Sequence, residues 1–542
     1  MTSIPRRAFA LVVLGLALLP AACGKGDPAG KGGGASGAGG ATTFVYARGK
    51  DSPTLDPAEA TDGESALVLV NVYDTLVRFK YGSSAIEPAL AVAWEAAADR
   101  RAMTFTLRDG VRFHDGVACD AAAVAVNFER QRDLKHKFHF TEPGMPPERY
   151  PYWGDMFGFV EKTTAVDVRT VRFEFNEPMP PFFLSLLAMF TNSIVSPKAL
   201  EQGAGYVKRH PVGTGAFVWG GRENEEITLT ANPSWWGGKP AIDRLVFTVV
   251  PELKNAYARL ESGQVDGVDN LASKDVPRAK ANPAVKVHEV ATGLSVCYLA
   301  MNNDRKPFDD VRVRQAVALA VDKPRLAAIA YEGLATPIAT LVPPGVEGHA
   351  GLPDRARDVK AARRLLEEAK AVGTKVTLRY MGNPRPYAPD PGAIAAQLRD
   401  DLRDAGLEVE LRKDEWASHL QAMQNGDHEL GILGWTPDVP DPDNYLYVLL
   451  DKEGAVPPAN NVSFYRSEPF HALVAAARRS YDAGERRRLY ADAQKIAFDD
   501  APMVPLVAMP RVAATSAAVE GFVLDPVSSP RFAWTSKPAK AK

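Results

Sequence analysis

Two loops concentrate the residue types able to do ionic chemistry. Residues 435–445 read WTPDVPDPDNY, which sets Asp438, Asp441 and Asp443 among Pro437, Pro440 and Pro442, directly after the apolar run ELGILGW. Proline restricts the backbone and removes donors, so carboxylates in such a loop are held in place, either for a ligand or for their own turn. Calcium is a poor match. A run of EF-hand type begun at Asp441 needs glycine at its sixth position and glutamate at its twelfth, and the chain has Leu446 and Lys452 there. A ligand ammonium suits Asp438 better, because a charge-assisted hydrogen bond contributes ~1.5–3 kcal/mol. The second loop, GNPRPYAPD (382–390), offers Arg385 between Pro384 and Pro386 with Tyr387 beside it. A guanidinium fork receives a carboxylate bidentately. If both loops leave the same sheet edge, one lobe presents a fixed cation and a fixed anion, and a small zwitterion satisfies both.

Other chemistry is scarce. The body carries no G-x-S-x-G, H-E-x-x-H, C-x-x-C or G-x-x-x-x-G-K-[ST] pattern, so neither a nucleophile–base pair nor a metal constellation of a hydrolase is legible. Nine histidines are scattered; His136 and His139 in KHKFHF lack further ligands at zinc spacing and read as a solvated loop. FHDG (113–116) reads as a turn rather than a His-Asp relay.

The elements that must position the two loops alternate between strand and helix patterns. AMTFTLRDGVRF (102–113) reads as a hairpin-like edge unit, TAVDVRTVRFEF (164–175) repeats that pattern, and DRLVFTVVP (243–251) reads as a buried strand. Helices are expected over 308–322, over 322–333 with Asp322 as cap, and over 358–370 with Ala362, Leu365, Leu366 and Ala369 on one side. Strand 375–381, helix 391–406, strand 407–413, helix 416–426 and strand 428–435 then follow one another. That order predicts a compact α/β lobe with ligands beyond the carboxyl ends of its strands.

The ends bound the compartment. Arg6 and Arg7 precede the apolar stretch AFALVVLGLALL (8–19), and PAAC closes on Cys23. The stretch is too short to span a bilayer and reads as an export signal. Small residues ending at a cysteine resemble a lipobox, with Pro20 where leucine is usual; cleavage near Ala22 is the alternative. Residues 24–42 hold nine glycines and no large apolar side chain, a coil spanning ~24 Å that suits a tether between a lipid and the body. The remaining roughly 500 residues exceed a single core. The whole chain is 46% hydrophobic and 24% charged with a net charge of −2, which gives no basic field for nucleic acid. The 42 prolines exceed the usual ~5% share and imply many ordered connections. Cys119 and Cys297 lie far apart in sequence, and a disulfide between them is not the favoured reading.

Several long motifs in one order resemble the peptide/nickel family of extracytoplasmic solute-binding proteins that feed ABC importers, the dipeptide-binding branch above all. They are VYDTLVRF (72–79), RDGVRFHDG (108–116), PVGTGAF (211–217), WWGGKPAIDRLVF (235–247), YLAMNNDRKPFDDVRVRQAVALAVDK (298–323), RPYAP (385–389), WTPDVPDPDN (435–444) and VEGFVLDP (519–526). The resemblance implies an α/β fold of two lobes around a hinge, of the large three-subdomain type. Residues 43–300 with 510–542 would form lobe I, including an extra subdomain at about 80–205, and 301–509 lobe II. It also implies that Arg385 takes the ligand carboxylate and Asp438 the amine, that Trp416 lines a side-chain pocket, and that Tyr387 follows the arginine as in relatives. TDGE (61–64) matches the lobe I stretch that closes on the ligand, through Asp62, Gly63 and Glu64. Pro437 stands where a glycine is common. The implied protein is a monomeric, cofactor-free receptor for dipeptides or short peptides, not an enzyme. It would be anchored to a bacterial membrane through a lipid on Cys23, in the periplasm or at the cell surface, and would serve a permease and ATPase complex. The same scaffold also suits a longer peptide, haem, glutathione, an opine or a metal chelate, or a sensing role.

Overall fold

Aspartates start the helices that the pattern predicts. In the computed structural model, which describes residues 41–140 and 148–538, Asp310 caps helix Val311–Ala320, Asp322 caps Lys323–Ala330, Asp358 caps Val359–Glu368 and Asp390 caps Pro391–Ala405. Each carboxylate accepts from a backbone N–H that the first turn leaves without a helical partner. Gly406 closes the last of these helices at φ 114°, in the left-handed region where a side chain would be strained. The signal segment and nearly all of the tether lie outside the described residues. No helix among the described residues is long and apolar enough to cross a membrane.

One large sheet runs through the body. Its strand order is Glu408–Asp414, Lys375–Met381, Leu430–Trp435, Val285–Met301, Met503–Ser516, Gly267–Val268, Thr43–Arg48, Arg244–Val249, Glu226–Ala231 and Phe217–Glu223. The alternation read over 375–435 is present: Lys375–Met381 pairs in parallel with both Glu408–Asp414 and Leu430–Trp435. Two long strands, Val285–Met301 and Met503–Ser516, run antiparallel down the middle and join the two lobes. Their register breaks between Val290 and Ser295. There Gly293 lies so close to the other strand that a Cβ would overlap the Met509 carbonyl oxygen.

Apolar side chains gather on either side of that break. One core runs from Leu294 to Met509 and includes Cys297. A second core lies around Phe44, Phe247 and Phe532 and a smaller one around Tyr257 and Val268. A further core, around Phe105, Trp153 and Phe173, packs beneath a separate four-stranded sheet and holds Cys119. Both cysteines are free and buried.

Two expectations are corrected. Ala102–Leu107 is an inner strand of the four-stranded sheet, paired to Ala91–Ala96 on one side and Thr170–Phe175 on the other. The turn after it leads only to a lone bridge between Arg112 and Ala118, so its hairpin closes with the preceding strand Ala91–Ala96 instead, and a second hairpin is Val160–Ala165 with Thr170–Phe175. His139 is not in a solvated loop. It is buried, its ring nitrogens lie 2.8 Å from the Arg130 carbonyl oxygen and 2.9 Å from that of Glu148, and it packs on Tyr150.

Candidate ligand cleft

Strand direction alone turns two sets of carboxyl ends toward each other. Leu430–Trp435 and Met503–Ser516 are both antiparallel to Val285–Met301, so they run the same way, from the second lobe toward the first. The parallel neighbours of Leu430–Trp435 follow it. Gly267–Val268 is antiparallel to Met503–Ser516 and parallel to Thr43–Arg48, so these first-lobe strands end facing the second lobe. Loops beyond both sets of ends therefore face each other across the middle of the sheet, and ligands of open α/β sheets sit beyond such carboxyl ends.

Three adjacent strands of the second lobe deliver the expected residues to that edge. Trp416 opens helix Trp416–Gln424 just after Glu408–Asp414, with Glu415 as its N-cap. Arg385 follows Lys375–Met381, in a loop closed by reciprocal backbone bonds with Ala388 at 3.0 and 2.9 Å. The Arg385 guanidinium lies 3.5 Å from the centre of the Trp416 ring, and its Nε is buried with no hydrogen-bond partner. Tyr387 folds back across the next strand. It is buried, a Cβ placed on Gly434 would come within 2.2 Å of its ring, and its carbonyl accepts from Tyr331 Oη at 3.0 Å. Burial pushes the Tyr387 phenol up from its ordinary pKa. Tyr387 thus ties the arginine loop to the strand that carries Asp438.

The three acids of the 435–445 loop divide their roles. Asp441 takes both Arg486 amino groups, at 2.6 and 2.8 Å. Asp443 is buried, 3.0 Å from Arg478 Nε as an ion pair without hydrogen-bond alignment and 3.2 Å from Tyr490 Oη; burial pushes its carboxyl up to about 6. These two pin the loop to helices Glu468–Ala477 and Ala483–Asp500. Asn444 Oδ1 tightens it further, accepting from Trp435 Nε1 at 2.9 Å and the Asp438 backbone N–H at 3.1 Å. Asp438 is half-buried beside the buried Pro437.

Across the hinge, Asp62 caps helix Gly63–Val72 by accepting from the Ser65 N–H at 2.8 Å. Gly63 is exposed in its first turn. Glu64 has one carboxylate oxygen buried without a partner, and burial together with the Asp269 carboxylate pushes its carboxyl up to about 7.

Sequence reasoning missed the residues that hold this edge. Gly434 admits Tyr387, and Val439, next to Asp438, is buried among the side chains of the four-stranded subdomain's core. Tyr481 Oη donates to the Met179 carbonyl on the same subdomain, and the Arg100 guanidinium lies 4.6 Å from the Tyr481 ring centre. A lone apolar residue inside a charged, proline-rich loop was the available signal for Val439.

The model for the middle part of family 5 of the bacterial extracellular solute-binding proteins matches residues 85–456. The chain belongs to that family. This family 5 chain is 31% identical over 509 residues to the dipeptide-binding protein of Escherichia coli, covering 91% of this chain and 94% of that one. It is 32% identical over 507 residues to haem-binding protein A of Haemophilus influenzae, covering 89% and 90%. Among solved structures, the Helicobacter pylori ABC transporter-associated periplasmic binding protein in complex with the peptide STSA superposes with a TM-score of 0.78. It shares 33% identity over 91% of this chain and 98% of that one. The fold is thus the two-lobed one of extracytoplasmic solute-binding proteins, a family that binds and delivers solutes and is not one of enzymes.

Proposed function

We propose that the chain captures dipeptides or similarly short peptides for an ABC importer, clamping the ligand's free ends between its lobes. The observation that carries this reading is the delivery of Arg385 and Asp438 by neighbouring parallel strands to one edge, in a family whose similar members include dipeptide-binding proteins. Arg385 receives the carboxylate through its unpartnered Nε edge, Asp438 receives the amine, and Asp62, Gly63 and Glu64 close from lobe I. Trp416 and Tyr387 bound the arginine side. A ligand lacking the carboxylate would leave the buried Arg385 Nε without an acceptor, which costs several kcal/mol.

Lobe I comprises 43–300 and 510–542, with its extra subdomain at about 80–205, and lobe II comprises 301–509. Support comes from the separate cores and from the register break between Val290 and Ser295, which sits a few residues before the expected crossing near 300. A signal over 1–23, lipidation of Cys23 and the glycine-rich tether hold the monomer at a bacterial membrane, where a permease and ATPase complex takes up its ligand. The chain carries out no catalysis. Haem is the second reading, because haem-binding protein A is as similar as the peptide binders.

Calorimetric titration with Ala-Ala, N-acetyl-Ala-Ala, Ala-Ala-amide and tri-alanine tests the clamp. Much tighter binding of the free dipeptide than of the capped forms, an advantage lost in Arg385→Ala and Asp438→Ala, is expected. Equal binding of the capped forms refutes it, and a Soret shift on adding haem moves the assignment to haem.

A further inference from the structure

The clamp reading casts Trp416 as a wall of a side-chain pocket. Its contact geometry says something narrower. The Arg385 guanidinium is 3.5 Å from the indole centre, which is face contact, and no acidic side chain forms a salt bridge with Arg385 among the described residues. Its Nε is buried and lacks an acceptor. Asp414, two residues before Trp416, is already held by Arg379 at 2.6 Å and Arg412 at 3.1 Å, and Glu415 is spent on capping the helix. Arg385 therefore keeps its hydrogen-bonding edge unspent while its flat face is fixed.

The helix that carries the indole is fastened on both sides of it. Trp416 is the first residue of its helix, capped through Glu415, which accepts from the Ala417 N–H at 2.8 Å. One turn on, the buried His419 bonds the Ile432 carbonyl at 2.9 Å, fastening the helix to the strand that leads to Asp438. An aromatic face attracts a guanidinium and orients its plane. Fixing that plane before the ligand arrives removes an ordering cost that binding would otherwise bear.

We propose that Trp416 is the positioning residue of the carboxylate subsite: it holds the Arg385 fork edge-on to the ligand's terminal carboxylate, and so sets the preference for a free C-terminus. This rests on the peptide reading and deepens it. The discriminating quantity is the ratio of affinities for Ala-Ala and Ala-Ala-amide, measured by calorimetry on the full mature chain. Trp416→Leu should cut that ratio about tenfold by weakening Ala-Ala alone, and Trp416→Phe should restore most of it. Thermal melts of both variants check that the fold persists.

If Trp416 is only a pocket wall, Trp416→Leu weakens both ligands alike and the ratio stays at the wild-type value, which overturns the proposal. Trp416→Gln, which also removes the aromatic face but keeps polar bulk, must fall with Trp416→Leu; recovery in Trp416→Gln overturns it too. Arg385→Ala separates the two layers of the argument. If that variant keeps the wild-type ratio, or the wild-type chain binds neither ligand, the peptide clamp itself fails. If Arg385→Ala abolishes the ratio and Trp416→Leu does not, only the role given to Trp416 fails.

Discussion

A single methyl group on Gly434 should damage the carboxylate subsite without touching a ligand. An alanine Cβ there would lie 2.2 Å from Tyr387 Cγ and 2.4 Å from the Val296 carbonyl oxygen, against an ordinary contact of 3.4–4 Å. The ring must then retreat by more than about 1 Å, and the paired strand at Cys297 resists any matching shift. Overpacking of this kind costs ~1–3 kcal/mol, and the upper end applies because one opponent is backbone. Tyr387 is two residues from Arg385 in a loop closed by its own pair of backbone bonds, so the ring's displacement passes to the guanidinium. A bidentate fork tolerates only a few tenths of an ångström, and we expect Ala-Ala to bind roughly tenfold more weakly while Ala-Ala-amide is unaffected. Urea unfolding gives the stability loss, and calorimetry gives the affinity. Gly434→Ala/Tyr387→Ala should recover part of the stability, since the ring clash goes but the Val296 contact stays. Unchanged midpoint and affinity in Gly434→Ala would refute the reasoning.

Arg486→Ala leaves the mostly buried Asp441 without its bidentate partner, and should cost about 3–5 kcal/mol as read by the urea midpoint. A loss below about 1 kcal/mol would show that the loop is held elsewhere. Glu64 gives a pH signature. Its folded carboxyl titrates at about 7 against an ordinary 4.5, so the proton-bound form is the favoured one. Its contribution is fully present below about 4.5 and is lost as pH rises through 7. Glu64→Gln should match wild type near pH 4 and exceed it near pH 8, by an upper bound of about 3 kcal/mol; a difference independent of pH contradicts this.

Helix starts were legible because aspartate caps act locally, and the lobe II alternation was legible because periodicity and turn residues agree over 375–435. Asp441 and Asp443 were not separable from Asp438 in the sequence. Their partners, Arg486 and Arg478, lie tens of residues away and only the fold brings them close. Ala102–Leu107 looked like an edge because its alternation says nothing of how many neighbours a strand has. His139 looked solvated because its lysine-rich surroundings hide the carbonyls that enclose it.

Val439 stands one residue from the proposed amine anchor and yet lies in the packed core beneath the four-stranded sheet. Separating Val439 from that core would pull a valine out of an apolar socket, at ~1.5–3 kcal/mol, and break the Tyr481–Met179 contact as well. The valine term alone favours the seated arrangement over a separated one by roughly ten to a hundredfold, whatever ligand is bound. On the proposed clamp, residence time and ligand chemistry rest on different residues of one loop, so substitution at Val439 should change the dwell of a captured solute with its selectivity intact.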